Sequence, residues 1–143
     1  MSGDFELTLE ECREVARVFA DGAPRTRLQL TTSLDAHRAA AAASTEATEL
    51  AARSAGDAAA AAYLHPLARA TQVGHILRAT ASAARVAEIE AGDDGAAARR
   101  ILDEACARAT PTLVDVLSRY PLAPAGRSRV AVLMSGLDAS LRS

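Results

Sequence analysis

The residues with the most chemical potential fall in one stretch, Tyr63-Leu64-His65-Pro66-Leu67-Ala68-Arg69-Ala70-Thr71-Gln72-Val73-Gly74-His75-Ile76-Leu77. Read as a helix opening at Pro66, it puts Arg69 and Gln72 on one face, with His65 just ahead of the first turn. His75 then lies about 60° round from Gln72, at about 100° per residue. Such a polar group at a helix N-terminus suits a protein partner or an anion. The plainer reading is a solvated helix face and one histidine hydrogen-bonded in a turn. Metal binding is the sharper alternative, because His37, His65 and His75, with Asp35, offer nitrogen and oxygen ligands for zinc. The spacing follows no ligand motif: His65 and His75 are ten residues apart, no HExxH occurs, and Asp35 and His37 fall on different faces of a helix.

Other chemistries are less supported. There is no G-x-S-x-G, and Ser135-Gly136 lies within an ordinary amphipathic pattern. Neither Cys12 nor Cys106 has a histidine near it in sequence to act as a base. No P-loop and no GxGxxG is present. The expectation is a protein that is not an enzyme and takes no cofactor, with a metal-binding domain or metal-dependent enzyme using His65, His75 and His37 as the alternative.

Composition narrows the partners. Of 143 residues 36 are Ala, while the aromatics are two Phe, two Tyr and no Trp, so any core must be Leu, Val and closely packed Ala. All 16 basic residues are Arg, with no Lys and no Asn, which fits a GC-rich bacterial genome. The net charge of -2 and the shortage of stacking aromatics argue against nucleic acid, although the C-terminal 25 residues carry +3 (Arg119, Arg127, Arg129 and Arg142 against Asp138). The first 20 residues carry -3 (five acids against Arg13 and Arg17), a face that could mimic an acidic ligand or meet a basic partner, and that an ordinary exposed helix would also present. The longest stretch without formal charge, Ala58 to Ala68, is far short of the roughly 20 apolar residues a membrane span needs. The acidic start is unlike a signal peptide, and the expected compartment is the cytoplasm.

The elements that position these groups read as helices, because Ala, Leu, Arg and Glu are strong helix formers and alternating strand patterns are missing. A first helix is predicted from a Thr8/Glu11 capping box, with Leu9, Cys12, Ala16 and Phe19 inward, ending at Asp21-Gly22. A second runs from Pro24 to about Ala43 with Leu30 and Leu34 inward, and a third from a Ser44 or Thr45 cap to near Tyr63. The fourth spans Pro66 to Ala91, with Gly74 marking a close helix contact. Asp94 caps a fifth, Thr110-Pro111 opens a sixth, and Val130, Leu133, Met134, Leu137 and Leu141 stripe a seventh. The alanine runs at 39–43 and 58–62 read as helix interiors. The fold class is all-α, a single-domain bundle of about six or seven helices over residues 1–143.

Several segments carry a family resemblance: Phe19-Ala20-Asp21-Gly22 with Arg25-Thr26, Leu34-Asp35-Ala36-His37-Arg38, and Ala62 to Ala68 with Ala70-Thr71-Gln72-Val73 and His75-Ile76-Leu77. Ala91-Gly92-Asp93-Asp94, Ala109-Thr110-Pro111 and Arg119-Tyr120-Pro121 add to it. Over residues 5–142 the chain resembles the immunity-five-like helical domains of bacterial polymorphic toxin systems. The resemblance implies an immunity protein that binds and neutralises a cognate toxin protein without catalysis. The family pattern is longer between Glu6-Leu7-Thr8-Leu9 and Phe19, so this chain reads as shortened near its N-terminus. An apolar face left uncovered there would favour a homodimer. Arg69 and Gly74 stand where many relatives carry Lys. The candidate partner-binding residues are Asp35, Arg38, Tyr63, His65, Arg69, Gln72 and His75.

Overall fold

The helix-forming composition is realised throughout. A computed structural model, described over residues 2–63 and 69–143, holds seven α-helices and, among the described residues, no strand. They are α1 (Ser2–Ala20), α2 (Arg27–Ala41), α3 (Glu46–Ala60, extended by a 3-10 turn over Ala61–Tyr63), α4 (Ala70–Glu90), α5 (Gly95–Arg108), α6 (Pro111–Ser118) and α7 (Arg129–Arg142). The fold is an all-α bundle. Among the described residues no helix is long and apolar enough to cross a membrane.

Most helix ends follow local chemistry. Thr45, Asp94, Thr110 and Ser128 each accept a backbone N–H in the first turn of α3, α5, α6 and α7. At the end of α1 the chain turns at Gly22 (φ +101°), where Gly22 N–H bonds the Phe19 carbonyl and Ala23 N–H that of Val18, a Schellman arrangement.

Three expected boundaries differ. α1 starts well before Thr8, whose hydroxyl donates instead to the Asp4 carbonyl at 2.8 Å, as an interior threonine does. α2 starts after Pro24, because Thr26 and Gln29 form the capping box. α4 starts at Ala70, because Arg69 has an extended backbone (φ -119°, ψ 140°).

Packing divides the bundle. One apolar cluster gathers Val73, Leu77, Leu117, Leu133, Met134, Leu137 and Leu141 from α4, α6 and α7, with Ile101 and Leu102 of α5 against it. The other joins α1, α2 and α3 through Leu9, Cys12, Ala36, Ala40, Ala52, Ala55 and Ala59. An alanine contributes only one methyl, so this second cluster gains from close backbone approach. Polar side chains fasten it: Cys12 Sγ lies 3.1 Å from the Ala55 carbonyl, Ser33 Oγ donates to that of Gly56 at 2.9 Å, and Ser54 Oγ to that of Ala79 at 2.7 Å. α3 is thereby tied to α1, α2 and α4.

That close approach reverses the expected orientation of α2. Its buried residues are Gln29, Thr32, Ser33, Ala36 and Ala40, whereas Leu30 and Leu34, expected inward, are 43% and 46% exposed. Small residues let α2 lie against Gly56 and the alanines of α3; leucines in that seam would hold the helices apart.

Candidate functional site

The outer face of α2 is built by this reversal. Leu30 and Leu34 are one turn apart, and Leu28 is also exposed on the same helix. Arg38 donates to Asp35 at 2.8 Å, with both side chains exposed. The buried polar groups beneath are satisfied: Gln29 Oε1 accepts from Thr26 N–H at 2.8 Å, and Thr32 Oγ1 donates to the Leu28 carbonyl at 2.8 Å. The leucines therefore sit on a helix whose inner side is already complete.

Where α2 meets α3 and α4 lies a carboxylate that the sequence reading did not single out. Asp57 of α3 has a side chain only 9% exposed, with His37 Nε2 of α2 at 3.7 Å and Arg78 Nη1 of α4 at 3.9 Å from its Oδ1. Among the described residues, Asp57 Oδ2 and His75 Nδ1 are buried without a hydrogen-bond partner. Burial pushes the Asp57 carboxyl above its usual range, against the opposing pull of Arg78, His37, His75 and Arg53. Glycines admit its neighbours: the His37 ring lies so close to Gly56 that a Cβ there would be 2.9 Å from Nε2. Arg78 folds over Gly74, so the close contact expected at that glycine is made by an arginine of the same helix.

The seven predicted partner residues are spread over several elements. Asp35 and Arg38 pair on α2. Tyr63 is held at the other end of that helix, its hydroxyl donating to the Thr26 carbonyl at 2.8 Å and Arg25 stacked 4.6 Å from its ring centroid. Arg69 is the exposed N-cap residue of α4, Gln72 is half-buried in the first turn, and His75 reaches the field of Asp57. His65 lies outside the described residues. Arg69 is extended, so the predicted helical stripe is broken at Arg69, and its expected start at Pro66 lies outside the described residues. Among the described residues, no hydrogen bond or ion pair joins Asp35 or Arg38 to Tyr63, Arg69 or His75.

Comparison with family models, with curated proteins and with solved structures finds no match. The local chemistry therefore carries the functional argument. Among the described residues no three His, Cys, Asp or Glu side chains converge to hold a metal ion. Cys12 is buried and its thiol is pushed up by that burial, the opposite of an activated nucleophile.

A second buried carboxylate has a different surrounding. Glu88 of α4 accepts from Arg129 Nε–H, shared between its two oxygens (2.9 and 3.1 Å), from Arg129 Nη2 (2.5 Å) and from Arg85 Nη1 (2.8 Å). Arg129, with Arg85 beside it, holds the Glu88 carboxyl down at about 2. Arg85 also bonds Glu46 and Asp93, so the network joins the start of α3, the end of α4 and the start of α7. A sequence signal existed: Leu77, Ala81, Ala84 and Glu88 follow core spacing, which puts Glu88 on the buried stripe. Asp57, set between Gly56 and an alanine run, has a similar signature.

Proposed function

We propose that this protein is a stoichiometric binding protein of the immunity type, which engages a cognate toxin through the outer face of α2 and turns over no substrate. The observation that carries the reading is the orientation of α2, with Leu30 and Leu34 exposed while Gln29, Thr32 and Ser33 are buried. Single exposed leucines are ordinary, but adjoining ones on a helix with a satisfied inner side make a candidate contact surface. Covering what remains exposed of each is worth about 1 kcal/mol. The Asp35–Arg38 pair beside them offers charges that set partner and register. The family resemblance supplies the partner class, a bacterial toxin protein.

The test is capture by the tagged full-length protein from a lysate of the source cells, compared with the L30A/L34A variant checked for unchanged helicity. The expected outcome is one toxin-like partner at about one-to-one with the wild type, its recovery falling at least about tenfold with the variant. Equal recovery by both would remove this face from the reading.

A further inference from the structure

A different surface, between α1 and the end of α2, has the chemistry of a recognition groove. Its volume is about 410 Å³, and it is lined by Phe5, Ala39, Ala42 and Ala43 together with Asp4, Glu6 and three hydroxyl residues. On the same helix Glu10 and Glu14 pair with Arg13 and Arg17, whereas among the described residues neither Asp4 nor Glu6 makes an ion pair. The C-terminal end of α2 and the N-terminal ends of α1 and α3 meet at this groove, so their dipoles oppose one another and the carboxylates set its charge. The only cation in the last turn of α2, Arg38, is engaged by Asp35. An apolar lining bordered by two carboxylates without an ion pair matches a long aliphatic stem ending in a cation.

We propose that this groove docks a basic, aliphatic segment of a protein partner, laying a lysine or arginine stem along Phe5 and the alanines and its charged head against Asp4 and Glu6. Phosphate-rich ligands are repelled by the same carboxylates. The site uses none of the α2 leucines, so its failure and that of the leucine face are separate results.

The probe is a fluorescein-labelled hexapeptide, Ala-Arg-Leu-Arg-Leu-Ala, titrated with the full-length protein by fluorescence polarisation. Its counterpart with glutamate in place of both arginines is the control. Saturable binding of the arginine peptide is expected, at least about tenfold tighter than the control and weakened by added salt. D4N/E6Q is expected to lower the affinity at least about fivefold. Because Asp4 also supports the start of α1, E6Q alone serves as a variant that spares the helix and is expected to weaken binding in the same direction. A42L, at an exposed position, is expected to block the groove. Equal affinity for both peptides, no saturable binding below about 1 mM, or unchanged affinity in both D4N/E6Q and E6Q would overturn the proposal. Self-association of the free protein that D4N/E6Q abolishes, without peptide binding, would assign the groove to a second copy and overturn it as well.

Discussion

The two halves of the bundle bury their charges under opposite conditions. Where α4 meets α7, Glu88 is wrapped by Arg129 and Arg85 beside a leucine-rich core. Where α2 meets α3, Asp57 is buried against alanines and glycine, with His37 at 3.7 Å and Arg78 at 3.9 Å, and among the described residues one of its oxygens has no hydrogen-bond partner. The same contrast holds for apolar groups. α7 turns Leu133, Leu137 and Leu141 inward, and α2 turns Leu30 and Leu34 outward. Large side chains stabilise the C-terminal half by area. The N-terminal half is held by backbone proximity and buried polar bonds, which leaves Leu30 and Leu34 of α2 exposed.

The largest expected effect lies in the leucine core. Leu137 is 1% exposed, and L137A is expected to lose about 3 kcal/mol by urea unfolding, through lost burial and the cavity left behind. A loss below about 1 kcal/mol would mean that this half is not the area-stabilised one.

Next is the well-satisfied carboxylate. Glu88→Gln is expected to cost about 2–3 kcal/mol at neutral pH, since Arg129 loses its charged partner while Arg85 keeps Glu46 and Asp93. The carboxyl is depressed in the fold, from an ordinary 4.5 to about 2, so its stabilisation is full above about pH 4.5 and is lost as pH falls towards 2. The difference between wild type and E88Q should therefore shrink across that window, read as unfolding midpoints at several pH values.

Asp57 should behave in the opposite sense. Its carboxyl is raised above 3.8 in the fold, so the folded state holds the proton more tightly, and stability falls as pH rises from 3.8 through the raised value. Asp57→Asn is expected to gain about 1 kcal/mol at pH 7 and nothing at acid pH. A loss at pH 7 would show that the contacts to His37 and Arg78 outweigh the burial they accompany.

How far the sequence revealed this arrangement follows the same division. Caps, turns and the α7 stripe were legible because each rests on near neighbours: Asp94 on Ala96, Thr110 on Leu113, and Leu133, Leu137 and Leu141 on helical spacing. The orientation of α2 was not. In an alanine-rich helix several faces can be buried, and the face that is buried depends on how closely the neighbouring helix approaches. Gly56 decides it here by admitting the His37 ring, and it lies in a different helix. Arg69 illustrates a related limit, since an extended N-cap residue ends a stripe that residue spacing alone would continue. Of the candidate partner residues, the Asp35–Arg38 pair was readable from spacing, while the link from Tyr63 to Thr26 depended on tertiary structure.

The most direct measurement is the unfolding free energy of L30A/L34A by urea denaturation, alongside the wild type. If the leucines of α2 are a surface and not a core, the double variant loses less than about 1.5 kcal/mol with an unchanged dependence on urea. A loss of about 5 kcal/mol or more, as for two buried leucines, would contradict the account, because it would return Leu30 and Leu34 to the interior and leave α2 with no apolar outer face to offer a partner.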